Sequence, residues 1–206
     1  MRALLWICFF AIGMFVQKSS STEKNPLRVK RLDSNYDCVK KHRLNSFKRL
    51  SNYPFNIAAG VMLVSFESKM IGYVLTPDGK DSTALISDGG ELPVEGDSLC
   101  FSRLKEQVLL SKEQVDSLTD ILYNYGFRGN VNYEVSMNCY SPHHAIVFLD
   151  HQGKMFEFIE LCFMCNGKRL SSEEVACGDF CDGKYELLEK FFKNAGVRFN
   201  DRVGTR

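Results

Sequence analysis

The stretch from Cys139 to Cys165, C-Y-S-P-H-H-A-I-V-F-L-D-H-Q-G-K-M-F-E-F-I-E-L-C-F-M-C, constrains the fold more than any other part of the chain. Ala145 to Leu149 is an unbroken apolar run and Met155 to Leu161 a second β-rich one. Between them Asp150 to Lys154 carries turn chemistry, with Gly153 free to take a positive φ. The pattern predicts an antiparallel hairpin. With Leu149 opposite Met155, counting outward places Cys139 near Cys165, Pro142 near Cys162 and His144 near Glu160, within one residue of slip either way. Three thiols and the imidazoles of His143 and His144 then meet at the open end of one hairpin.

The other patterns agree with a sheet. Val61 to Phe66 and Met70 to Leu75 are β-rich runs separated by Glu67-Ser68-Lys69, which reads as another hairpin, and turns at Thr76 to Gly79 and Ser87 to Gly90 bracket a short strand at Thr83 to Ile86. Leu99 to Phe101 and Val131 to Val135 read as further extended pieces. Ser111 and Gln114 stand at capping-box spacing ahead of Val115, Leu118, Ile121, Leu122 and Tyr125, which recur at helical period up to Gly126. A last helix is predicted with Asp179 and Asp182 at its N-terminus, Tyr185, Leu188, Phe191, Phe192 and Ala195 on its buried face and Lys190 and Lys193 near its end at Gly196. The expected fold class is α+β: an antiparallel sheet of hairpins with at least two helices packed on one face.

Domain organisation follows from hydropathy and charge. Arg2 and the apolar run Ala3 to Val16 have the length of the hydrophobic region of an export signal, shorter than the roughly 20 residues a bilayer span needs. Residues 1–18 therefore read as a signal peptide. Residues 19–54 read as a linker and basic arm, since Arg28 to Arg49 is rich in Lys and Arg with only Asp33 and Asp37 to offset them. Val39, Phe47 and Leu50 would form a thin apolar stripe if the arm is helical. The arm is expected to be a solvated basic face; contact with an acidic lipid or envelope surface, or with the acidic region Glu157 to Glu189, are the alternatives. Residues 55–206 form the single folded domain. The net charge of +1, with no long block of one sign, gives no footprint for a nucleic-acid partner.

Export changes how the cysteines read. Of eight, Cys8 falls in the signal, leaving Cys38, Cys100, Cys139, Cys162, Cys165, Cys177 and Cys181. In an oxidising compartment an odd set predicts disulfides with a leftover thiol, or fewer disulfides and a metal. Disulfides are favoured, Cys139 with Cys165 at the hairpin mouth and Cys177 with Cys181 or Cys162. Zinc is the second option, held by Cys162 and Cys165 with Cys139 and His144 or His143, or with Cys177 and Cys181. A thioredoxin-like use of Cys162 and Cys165 is disfavoured because that pair ends a strand; Cys181, at a helix start, is expected to be the most acidic thiol. The remaining enzyme reading is a hydrolase using Cys100 as nucleophile and His144 as base.

Three motifs occur in order: Cys139-Tyr140-x-Pro142-x-His144-Ala145-Ile146-x-Phe148, then Phe158 to Cys162 with Phe163 and Cys165, then Phe180-Cys181-x-x-Lys184-Tyr185 with Leu188 and Phe191-Phe192. Over roughly Ser111 to Gly196 the chain resembles a family of uncharacterised exported proteins of Bacteroidetes-type bacteria. The resemblance implies bacterial origin and a periplasmic, envelope or secreted address, and supplies no catalytic residue. It also implies relatives with Arg in place of His143 and Asn in place of His144, which shifts weight from the imidazoles to the thiols. The expectation is an exported, non-catalytic domain with a structural centre of Cys139, Cys162, Cys165, Cys177 and Cys181. A thiol-dependent enzyme, redox or Cys–His hydrolase, is the alternative.

Overall fold

The structure, a computed structural model, describes residues 37–67, 72–75, 82–85, 91–96, 98–130 and 141–199, all within the compact unit Asp33–Arg206. The apolar run at the start, the extended piece at 131–135 and Cys139 lie outside the described residues.

The sheet is built around two strands with almost no polar surface. Strand β2 (Gly60–Phe66) is buried from Val61 onward and β9 (His144–Leu149) from its first residue to Phe148. Strands this apolar on both sides have no face to offer water, so they occupy the middle of a sheet covered on both faces. They pair antiparallel with each other. Outside them lie β7 (Leu104–Leu109) next to β2, and β10 (Met155–Cys162) followed by β11 (Gly167–Leu170) next to β9.

The predicted β9–β10 hairpin is present. Gly153 takes φ +76° in its turn, and Asp150 Oδ1 accepts from the N–H groups of Gln152 and Lys154 at 2.8 Å each. Leu149 faces Met155 as counted, but the register shifts between Met155 and Glu157, so His144 lies opposite Leu161 rather than Glu160. A bulge of this kind moves every later pair by one residue. The slip decides which face each side chain takes. Ile159 and Leu161 share the helical face with Ile146 and Phe148, while Phe158 packs on the other face beside Ala145 and Val147.

Three helices cover one face. They are α1 (Ser46–Leu50), α2 (Lys112–Asn124) and α3 (Asp182–Ala195). The fold class is thus α+β, with Leu118 and Leu122 of α2 and Tyr185, Leu188 and Phe192 of α3 packed against Val61, Leu63, Ile146, Phe148, Ile159 and Leu161. The capping box at Ser111 and Gln114 forms, with Gln114 Oε1 accepting from Ser111 N at 2.8 Å. The opposite face, Met62, Val64, Phe66, Ala145 and Val147, is covered by Leu92 and Leu99 beside the small hairpin of β5 (Val94–Glu95) and β6 (Ser98–Leu99).

Three expectations need correcting. The runs around Glu67 to Lys69 do not pair with each other: β2 is taken on both sides by β7 and β9, and β3 (Gly72–Leu75) pairs with β4 (Ser82–Leu85) instead. Gly126 does not close α2; it lies in β8 (Tyr125–Phe127), which pairs with β1 (Cys38–Lys40). The residues 37–54 assigned to the arm are part of the fold. In α1 the stripe is turned over, with Phe47 84% exposed and Arg49 only 6%. Arg49 wins the buried place because its guanidinium is fully engaged: Nη2 pairs with the Asp116 carboxylate, Nη1 donates to Leu44 O at 2.5 Å and Nε to Thr119 Oγ1 at 3.2 Å.

Candidate functional site

The start of α3 gathers what the cysteine-rich third of the chain was expected to gather. Cys181 is the N-cap of α3, fully buried, and it is joined to Cys38 by a disulfide spanning 143 residues. The pairing considered for it, with Cys177, is therefore replaced by one with the segment ahead of α1. The cause is β1: its pairing with β8 carries Cys38 past the end of α2, and Gly183 in the first turn of α3 lets it approach, since a Cβ there would lie 2.9 Å from Cys38 Cβ. Around the bridge, Lys41 Nζ lies 3.8 Å from Asp179, and Lys40 Nζ donates to Asp120 at 2.8 Å. Donation from Lys40 and Asn124 holds the Asp120 carboxyl below its ordinary range against the opposing effect of its burial.

Lys184 shares the motif with Cys181 and is wholly buried. Its ammonium donates to Leu122 O at 2.7 Å, in the last turn of α2, where unsatisfied carbonyls favour a cation. Burial pushes its pKa down to about 8, opposed by the nearby Cys177 and Asp179. Gly178, at φ +65°, is required here because a Cβ would meet Leu122 O at 2.5 Å. This lysine ties α3 to α2.

Cys162 and Cys165 flank the turn from β10 to β11. Cys162 is fully buried, Cys165 is 7% exposed, and their sulfurs are 2.7 Å apart. Two thiolates on one tetrahedral zinc, each about 2.3 Å from the metal, would stand about 3.8 Å apart. The two sulfurs lie closer together than two ligands of one zinc, and among the described residues, which do not include Cys139, no three His, Cys, Asp or Glu side chains are gathered to hold a metal. Cys177 is buried after β11, its thiol 3.8 Å from Gly178 O.

His144 is not placed to act as a base. Its ring packs against Phe163 and Phe192, with centroids 4.8 and 5.5 Å away. Its Nε2 lies 3.0 Å from Phe199 O, a carbonyl that can only accept, so Nε2 carries the proton. Burial pushes its pKa down to about 4. Cys100, the nucleophile once paired with it, follows β6 on the other side of the sheet, its sulfur 3.4 Å from Ser102 Oγ. His143 contacts Phe66 O through Nδ1 at 3.2 Å.

Two buried carboxylates in β10 complete the polar interior. Glu160, without solvent exposure, accepts from Leu92 N at 2.5 Å and Arg169 Nε at 2.6 Å. Glu157 accepts from Tyr53 OH at 2.7 Å, Ser172 Oγ at 2.9 Å and Ser171 Oγ. The bond to Glu157 and burial push the Tyr53 hydroxyl up to about 12. Each carboxylate fastens a loop to the sheet, and each is satisfied by the donors it holds.

Cys38 and Arg49 are the residues that sequence reasoning left out of the centre. The odd cysteine count was the available signal for Cys38; nothing in the local pattern marks Arg49 as buried. No protein family, curated protein or solved structure matches the chain.

Proposed function

We propose that this chain is an exported bacterial domain, periplasmic, envelope-bound or secreted, in which the cysteines hold structure and no residue performs catalysis. The observation that carries the reading is the Cys38–Cys181 bridge. A disulfide between the two ends of a fold persists in oxidising compartments and is rare where thiols are kept reduced. It is consistent with the apolar run Ala3 to Val16 as a signal peptide and with the resemblance to exported Bacteroidetes-type proteins. It also occupies Cys181, the thiol best placed for activation at a helix start. For envelope contact through the arm, the support is an exposed surface with Phe47 between Arg43 and Lys48.

The reading is tested by producing the full chain in a Gram-negative host and fractionating the cells. We expect a periplasmic or secreted product lacking roughly the first 18 residues, a length set by the usual signal-peptide range, with Cys38 resistant to alkylation. A full-length product retained in the cytoplasm with Cys38 as a thiol would overturn it. The thiol-disulfide alternative draws support from the 2.7 Å spacing of Cys162 and Cys165. A hydrolase draws none, because Cys100 and His144 are engaged elsewhere.

A further inference from the structure

We propose that Cys162 and Cys165 are a second dithiol–disulfide site, one that opens and closes by exchange with other disulfides while Cys38–Cys181 stays shut. The inference rests on the exported reading for its oxidant. Their sulfurs, 2.7 Å apart, are about 0.7 Å beyond a covalent S–S bond, so closure needs little backbone movement. The turn that carries them is already fixed. Cys162 is paired with Gly167 across β10 and β11, Asn166 holds φ +49°, and Asn166 Nδ2 donates to Asp182 Oδ1 at 3.1 Å. None of these contacts depends on the sulfur bond, so the turn persists in both states.

The two thiols differ in access. Cys165 lies between Met164 and Asn166, both exposed, whereas Cys162 has no exposed surface and projects from the end of β10. Cys165 is accordingly the entry point. Its thiolate attacks one sulfur of an incoming disulfide and expels the other as a thiolate, giving a mixed disulfide. The Cys162 thiolate then attacks Cys165 Sγ and expels the second thiolate. Two protons and two electrons leave the pair, and the incoming disulfide is reduced to two thiols. The incoming group is a disulfide, small or carried on a protein; no metal or other cofactor enters the balance.

The short loop lets the pair open with little loss of stability. The stabilisation that a disulfide draws from restricting the unfolded chain grows with the logarithm of the loop it closes. Cys38–Cys181 closes a loop of 143 residues, and Cys162 and Cys165 are three apart. Opening the short bridge therefore removes little of the constraint on the unfolded chain, and the fold keeps its stability with the pair reduced.

The test is a redox titration of the full exported protein in glutathione buffers from oxidising to reducing, with acid quench, alkylation and mass spectrometric mapping of each cysteine. A parallel arm uses a protein disulfide oxidant in place of oxidised glutathione, to separate small from protein-borne partners. In at least one arm we expect a Cys162–Cys165 bond that opens during the titration while Cys38–Cys181 stays formed. Cys165→Ser should abolish the bond and leave Cys162 slow to alkylate in the native protein; Cys162→Ser should trap the mixed disulfide on Cys165. Thiols at both positions in both arms while Cys38–Cys181 is formed would overturn this inference and leave the exported reading intact, as would a bond from Cys165 to Cys139. Absence of both bridges at the oxidising end would instead remove the Cys38–Cys181 bridge that carries the proposed function.

Discussion

The two cysteine pairs use the same chemistry for opposite ends. Cys38–Cys181 joins the first described strand to the last helix, across nearly the whole domain. Cys162 ends β10 and Cys165 lies in the four-residue turn that follows, whose shape is set by backbone pairing. The difference teaches that a thiol pair becomes a staple when it closes the chain's longest loop, and a local switch when the fold would look the same without it. C-x-x-C spacing, the more conspicuous signal in the sequence, marks the pair that contributes less to stability.

Breaking the long bridge is the severest test of this contrast. Cys38→Ser with Cys181→Ser should lower the unfolding free energy by about 4 kcal/mol, against roughly 1 kcal/mol for Cys165→Ala; chemical denaturation without reductant measures both. Equal losses would erase the distinction. Next in size is Arg49→Ala, which leaves the Asp116 carboxylate without its donor and the Leu44 carbonyl with Asn124 Nδ2 alone. A loss of about 2 kcal/mol is expected, because one partner of a buried hydrogen-bonded set is removed. If the segment were an independent arm, as its charge first suggests, the denaturation midpoint would not move.

His144 gives a comparable effect that appears only on acidification. Its folded-state pKa of about 4 lies below the ordinary 6.5, so between these values the unfolded chain binds more protons. The stability it contributes is complete above pH 6.5 and is lost as pH falls toward 4. At pH 5 the loss is about 2 kcal/mol relative to pH 7. His144→Asn should remove that part of the pH dependence while His143, also shifted down by burial, keeps its own share. A pH 5 to pH 7 difference identical in the variant and the parent would show that His144 titrates normally. The smallest effect is at the surface: Phe47→Ala should change stability by no more than about 0.5 kcal/mol and weaken sedimentation with anionic vesicles. Unchanged vesicle binding would remove Phe47 from the proposed envelope contact.

Local pattern carried the elements whose signals are local. The β9–β10 hairpin, the capping box at Ser111 and the last helix were legible because turn chemistry, cap spacing and periodicity lie within a few residues of what they specify. The faults lie where partners are distant. Strand β7 alternates half-buried and exposed positions from Leu104 to Leu109, a weak period-two signal. The partners of β2 enter far along the chain after it, as the Phe66–Leu104 and Ser65–Glu106 pairings show, so adjacency in sequence pointed to the wrong hairpin. The one-residue shift after Met155 turned Glu160 away from His144 and toward Leu92 and Arg169, which counting alone could not resolve. Cys38 looked like part of a charged linker because three-residue strands such as β1 have no periodic signature.

The most direct test of the account is peptide mapping of the exported protein, digested under non-reducing conditions after its thiols are blocked. The account predicts a single cross-linked species joining the peptide that carries Cys38 to the peptide that carries Cys181. Finding Cys181 bonded to Cys177 or Cys162, or both Cys38 and Cys181 blocked as thiols, would contradict it.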